Sequence, residues 1–200
     1  MGLDFISITV PLDAAPMRMI RTDPGLWELA DTHPPFAFAD PDYDVPLPKV
    51  SRQLLAVLPP GSGWISHFNG RAFEQAEYLL DPAAYRAPRT WEERERSMVY
   101  RIILGDELFA EHAQSGQGPH WRCSTAAFLT AAVQYIDDLE VDAIRSEFSV
   151  AEMARLGVYK VHPEDDDDEA FARVLGYVRE FADYCRSAPG RGLDLIITLF

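Results

Sequence analysis

Lysine is nearly missing from this chain: it stands only at Lys49 and Lys160, so almost all positive charge is arginine. Basic residues as a class are also scarce, 18 Lys and Arg against 32 Asp and Glu, for a formal charge of −14. That balance argues against a nucleic-acid binder, which needs clustered cations to displace phosphate counterions. Cysteine is limited to Cys123 and Cys185, far apart and without a CxxC pair. Neither a zinc ribbon nor a disulfide-built secreted scaffold fits this usage. No apolar run approaches the roughly 20 residues that cross a bilayer, and no repeat or flexible Gly/Ser tract divides the chain. The N-terminus lacks a basic segment, and Ile6 stands where a myristoylation pattern needs Ser or Thr. The expectation is a soluble cytoplasmic protein with neither membrane nor nucleic-acid contacts.

What is present is material for a core. Of 200 residues, 48% are hydrophobic and 12% aromatic, enough for one domain spanning 1–200. LDFISITV at the start is β-branched and alternating, and LDLIITLF at the end is a short apolar run after Gly192; both read as strands. Pairing these two ends in one small sheet is the simplest way to bury both. Between them the spacing predicts short helices around Met17 to Ile20 and Leu26 to Ala30, then Val50 to Leu58 and Ala72 to Leu80. Thr90 and Glu93 have capping-box spacing, opening a core helix on which Trp91, Glu95, Met98, Val99, Ile102 and Ile103 share a face, with Gly105 as its stop.

Further on, His120 to Cys123 reads as an extended piece, and Ser124 or Thr125 caps a helix buried through Phe128, Leu129, Ala132, Val133, Ile136 and Leu139. Two short helices, Val141 to Phe148 and Val150 to Leu156, close at Gly157. A long amphipathic helix carries Phe171, Val174, Leu175, Val178, Phe181, Ala182 and Cys185 on one side. The fold class is α+β, mostly helical. An irregular segment at about 33–48, punctuated by Pro34, Pro35, Pro41, Pro46 and Pro48, reads as an extended surface loop.

The order of these pieces is recognisable. A Met-Gly start and strand, a middle helix opening at Trp91, GPHWRCST before a helix, EFSVAEMARLGVYKVHP, a long helix from about Asp167 and a terminal strand together resemble the YfbM-like family, domain of unknown function 1877. The likeness is best from Gly118 to Phe200. It implies a compact bacterial cytosolic protein, a binding or immunity-type partner, and it brings no catalytic residues to transfer.

Residue by residue, no catalytic or metal-binding set emerges. The run Glu164 to Glu169 suits a helix N-terminus, where acids cap and meet the macrodipole, better than a cation site. Asp40, Asp42 and Asp44 begin a calcium-loop spacing, but Val45 and Ser51 occupy the positions that need Gly and Glu. The histidines, at 33, 67, 112, 120 and 162, form no HExxH pattern. His120 and Cys123 are near neighbours, yet three apart on a strand they face opposite ways. Aromatics concentrate instead in the irregular segments. Phe36, Phe38, Tyr43, Trp64, His67 and Trp121 are therefore the candidate binding residues, as an interface anchor or ligand cleft or, alternatively, as lids on the core. Three functions remain open. The first is a non-catalytic interaction module whose acidic excess suits a basic protein partner. The others are an enzyme of unrecognised, hydrolase-like type using His120, His67 or loop carboxylates, and a small-molecule binding module. No cofactor is expected.

Overall fold

The structure, a computed structural model, describes residues 4–37, 46–68, 71–87, 90–114 and 120–199. The two chain ends pair as expected: β1 (Phe5–Val10) runs antiparallel to β4 (Asp194–Leu199), with Phe5 opposite Leu199 and Ile8 opposite Ile196. β3 (Arg122–Ser124) adds to the other side of β4, and β2 (Glu107–Leu108) to the edge of β3, giving the order β1-β4-β3-β2. β2 had no signal of its own in the sequence, because two exposed residues carry no alternation.

Both faces of the sheet are covered, and its two long strands are buried at nearly every position, Ser7, Thr9 and Thr198 included. On one face Ile8, Val10, Ile196 and Cys123 meet α1 (Ala15–Thr22), α2 (Pro24–Asp31) and α3 (Lys49–Val57) through Met17, Ile20, Trp27 and Leu54. On the other, Phe5, Leu195, Ile197 and Leu199 meet α4 (Phe73–Leu80), α7 (Met98–Leu104), α8 (Ala126–Asp137), α10 (Val150–Leu156) and the long α11 (Asp167–Ser187). Burial of each such Leu, Ile or Phe side chain contributes ~1.5–3 kcal/mol.

Short elements fill the links: α5 (Pro82–Arg86), α6 (Trp91–Arg96), α9 (Val141–Glu147) and a 3-10 turn, Pro189–Arg191. Local chemistry sets their ends. Thr90 and Glu93 form the expected capping box, Thr125 caps α8, and Gly157 ends α10 in the left-handed region. In the acidic run the cap is Asp166, accepting from the amides of Asp168 and Glu169. Its neighbours are engaged as well: Asp167 accepts from Val150 N, while Asp168 and Asp165 pair with Arg145 and Arg173. Asp194 of β4 ties the turn after β1 to the start of α8, one oxygen accepting from Leu12 N and the other from Ala126 N.

Two expectations are corrected. The helix from Trp91 is not continuous: Ser97 adopts an extended conformation and caps a new start, so α6 ends at Arg96 and α7 begins at Met98. The break rotates α6 out of phase with α7, and Trp91, expected on the buried face, is 56% exposed. Conversely the Pro-rich segment is not all surface, since Phe36 is fully buried against Trp27 and Trp121.

Candidate functional site

At the end of the sheet where β4 finishes and β3 begins, α4, α6 and α7 leave a pocket of about 330 Å³. Its floor is Ile197 and Leu199 of β4, its sides are Phe73, Leu104 and the rings of Tyr100 and Trp91, and Arg94, Arg122, Glu74 and His120 supply the polar groups. A smaller cavity of about 260 Å³ lies between α5 and α6, lined by Glu77, Tyr85 and Thr90 among others. Trp91 and Arg94 line both.

Arg94 is the organising group. Its Nε donates to Glu77 Oε1 at 3.0 Å and its Nη2 to Glu77 Oε2 at 2.7 Å, with further contacts to Glu74 Oε1 at 3.4 Å and the Tyr85 hydroxyl at 3.1 Å. The guanidinium lies over the rings of Tyr85, Trp91 and Tyr100, at 5.4, 5.5 and 6.0 Å from their centroids. α6 buries no residue, so this ion pair and ring packing are its main attachment to α4. Burial and the Glu77 carboxylate push the Tyr85 hydroxyl far above its ordinary value. The Glu77 bond and charge hold Arg94 protonated against desolvation.

Arg122 projects from β3 under Tyr100, 5.3 Å from its ring. All of its nitrogens are directed: Nε to Gly105 O at 3.0 Å, Nη1 to Glu95 Oε1 at 3.4 Å, Nη2 to Asp106 O at 3.3 Å. Gly105 makes that approach possible. It sits at φ +104, and a Cβ there would lie 2.8 Å from Arg122 Cβ. Burial raises the Tyr100 hydroxyl to about 12. His120 Nε2 lies 3.0 Å from Gln114 Nε2, while its Nδ1 is buried with no hydrogen-bond partner among the described residues.

Of the residues expected to form a recognition surface, the four that are described, Phe36, Trp64, His67 and Trp121, lie elsewhere. Phe36 and Trp121 are interior, 0% and 1% exposed, in one ring cluster with Trp27, Trp64 and Phe109. Trp64 is half-buried and donates Nε1 to Pro35 O at 3.1 Å. His67, 8% exposed, packs against Phe5, Phe181 and Tyr184 and shares a 3.0 Å hydrogen bond with Ser7 Oγ. Burial lowers it to about 4, so it is neutral at physiological pH. Phe38 and Tyr43 fall outside the described residues. The physical reason for this placement is that large rings near a sheet are drawn against its apolar faces, and a Pro-rich segment supplies them as readily as a helix does.

The thiol reading meets the same burial. Cys123 packs on the α1–α3 face, away from the pocket, and burial pushes it to about 12; Cys185 is likewise raised to about 12. Among the described residues, no three His, Cys, Asp or Glu side chains converge to hold a metal. Of the histidines, only His120 lines the pocket between α4, α6 and α7. Sequence reasoning missed Trp91, Arg94 and Glu77 as site residues. The usable signal was Ser97, a second N-cap directly before the apolar run Met98-Val99-Tyr100.

Residues 77–198, more than half the chain, match the Domain of unknown function (DUF1877). The chain belongs to this family. The match begins well before Gly118 and takes in Trp91, Arg94, Tyr100, His120 and Arg122. The fold is similar to that of a protein of unknown function, YfbM from Escherichia coli, known from its crystal structure: TM-score 0.61 at 11% identity, covering 98% of each chain. At that identity the likeness shows the fold alone. No curated protein matches the chain. Among the described residues no helix is long and apolar enough to cross a membrane.

Proposed function

We propose that this DUF1877 protein is a non-catalytic binding module that receives a small ligand in the pocket between α4, α6, α7 and the end of the sheet. The observation that carries the reading is the pairing of a ring-lined cavity of about 330 Å³ with His120, a wall residue whose buried Nδ1 has no partner among the described residues. Ligand pockets combine apolar walls with a few placed polar groups in this way. The non-catalytic character is supported by the state of the other groups. Tyr100 is held protonated, Glu74 is taken by Arg94 and by the Tyr159 amide at 2.9 Å, and both thiols are buried and protonated.

A thermal-shift screen with a small-molecule library tests it. A ligand present at 100 times its Kd stabilises by ~2.7 kcal/mol, a rise of several degrees for a chain of this size. Trp91→Ala and His120→Ala should reduce that rise. A screen in which no compound shifts the midpoint, or in which both variants respond like the parent, would remove the reading.

The net charge of −14 supports a companion reading, contact with a basic protein partner in the cytosol. Its test is capture at two salt concentrations: a stoichiometric basic partner lost at high salt supports it, and a partner indifferent to salt counts against it.

A further inference from the structure

We infer that the pocket takes an uncharged, planar heteroaromatic ring system of one or two fused rings, an inference that rests on the binding reading above. Size sets the first limit, because about 330 Å³ is at the small end of ligand cavities. The walls set the second. Phe73, Trp91 and Tyr100 present rings, and the guanidiniums of Arg94 and Arg122 both lie over Tyr100. Rings and guanidinium planes alike favour a flat π surface.

Charge decides against the alternatives. An anion would seek an open arginine fork, but Arg94 is committed to Glu77, Glu74 and Tyr85, and Arg122 to Gly105 O, Asp106 O and Glu95. It would also meet the Glu74 carboxylate in the wall. A cation would be repelled by the two guanidiniums already lying over the Tyr100 ring. A neutral ligand carries neither cost. His120 then separates a heterocycle from a hydrocarbon. Its Nδ1 is sequestered and has no partner among the described residues; once the imidazole turns toward the cavity, a ring nitrogen or N–H completes the bond that an all-carbon ring leaves unmade.

The test is a titration of the ¹⁵N-labelled full-length protein with adenine and indole as neutral heterocycles, benzoate as an anion, benzyltrimethylammonium as a cation and cyclohexanol as an aliphatic. The signals followed are the Trp91 indole N–H and the His120 ring. Adenine or indole should saturate both, at least tenfold more tightly than the other three. His120→Leu should weaken binding about tenfold. Trp91→Ala, at a position 56% exposed, should do the same, with an unchanged circular dichroism spectrum showing that the variant is folded. Benzoate, the quaternary ammonium or cyclohexanol binding as tightly would overturn the ligand class and leave the pocket reading standing. Heterocycle binding that ignores both variants would overturn the site, and the absence of any response at Trp91 or His120 to all five probes would overturn the ligand class and the binding reading together.

Discussion

Arg94 forks onto Glu77, and that carboxylate, 1% exposed, has almost no access to water. A buried ion pair contributes little over a well-packed apolar pair, but breaking one side strands the other charge. Arg94→Met should therefore destabilise the protein by about 3–5 kcal/mol. The double variant Arg94→Met/Glu77→Leu should recover most of that loss. Urea unfolding of both variants checks this; equal instability would mean that ring packing on Arg94, not the stranded carboxylate, is what matters.

Acid should weaken the fold in two separate steps. His67 takes up a proton only near pH 4 when folded, against about 6.5 in the unfolded chain. The unfolded state therefore binds more protons between those values, and stability falls as pH drops from about 6.5 to about 4, by up to ~3 kcal/mol. Glu152 is held at about 2 by Arg86 and the Tyr78 hydroxyl, so its contribution is present above about 4.5 and is lost as pH falls towards 2. His67→Gln should flatten the upper step alone. Denaturant midpoints measured every half pH unit decide the matter.

Gly105 allows the end of α7 to pass close to β3. Its φ of +104 disfavours any side chain, and the added Cβ would also come within 3.2 Å of Cys123 N. Gly105→Ala should cost at least about 2 kcal/mol. Because Arg122 Nε donates to the Gly105 carbonyl, the variant should also shift the Tyr100 ring signals in NMR spectra. A variant as stable as the parent would show that the turn relaxes freely.

Neither cysteine should react in the native state. Cys123 and Cys185 are buried, and both thiols are raised to about 12, so little thiolate forms at neutral pH. An aromatic disulfide reagent should label neither at pH 8 without denaturant and both in urea. Rapid labelling of native protein would mean that β3 or α11 opens readily.

The sequence by itself determined which segments become strands and helices and where most of them end. Those signals are local. Alternation and β-branching mark β1, the apolar run before the C-terminus marks β4, and the capping side chains of Thr90 and Thr125 and the left-handed backbone of Gly157 satisfy backbone groups within a few residues. The pairing of the two end strands was also legible, since each needed an apolar partner. Tertiary structure alone decided which ring ends up wet. Trp91 faces outward because Ser97 breaks the helical phase, and Phe36 goes inward because Trp27 and Trp121 leave it a place. It also decided that Glu77 meets Arg94 across α4 and α6, and that Arg122 and His120 reach the same cavity. Those contacts depend on how separate elements dock, and docking is set by total buried surface and charge compensation, for which no short window of sequence holds the information.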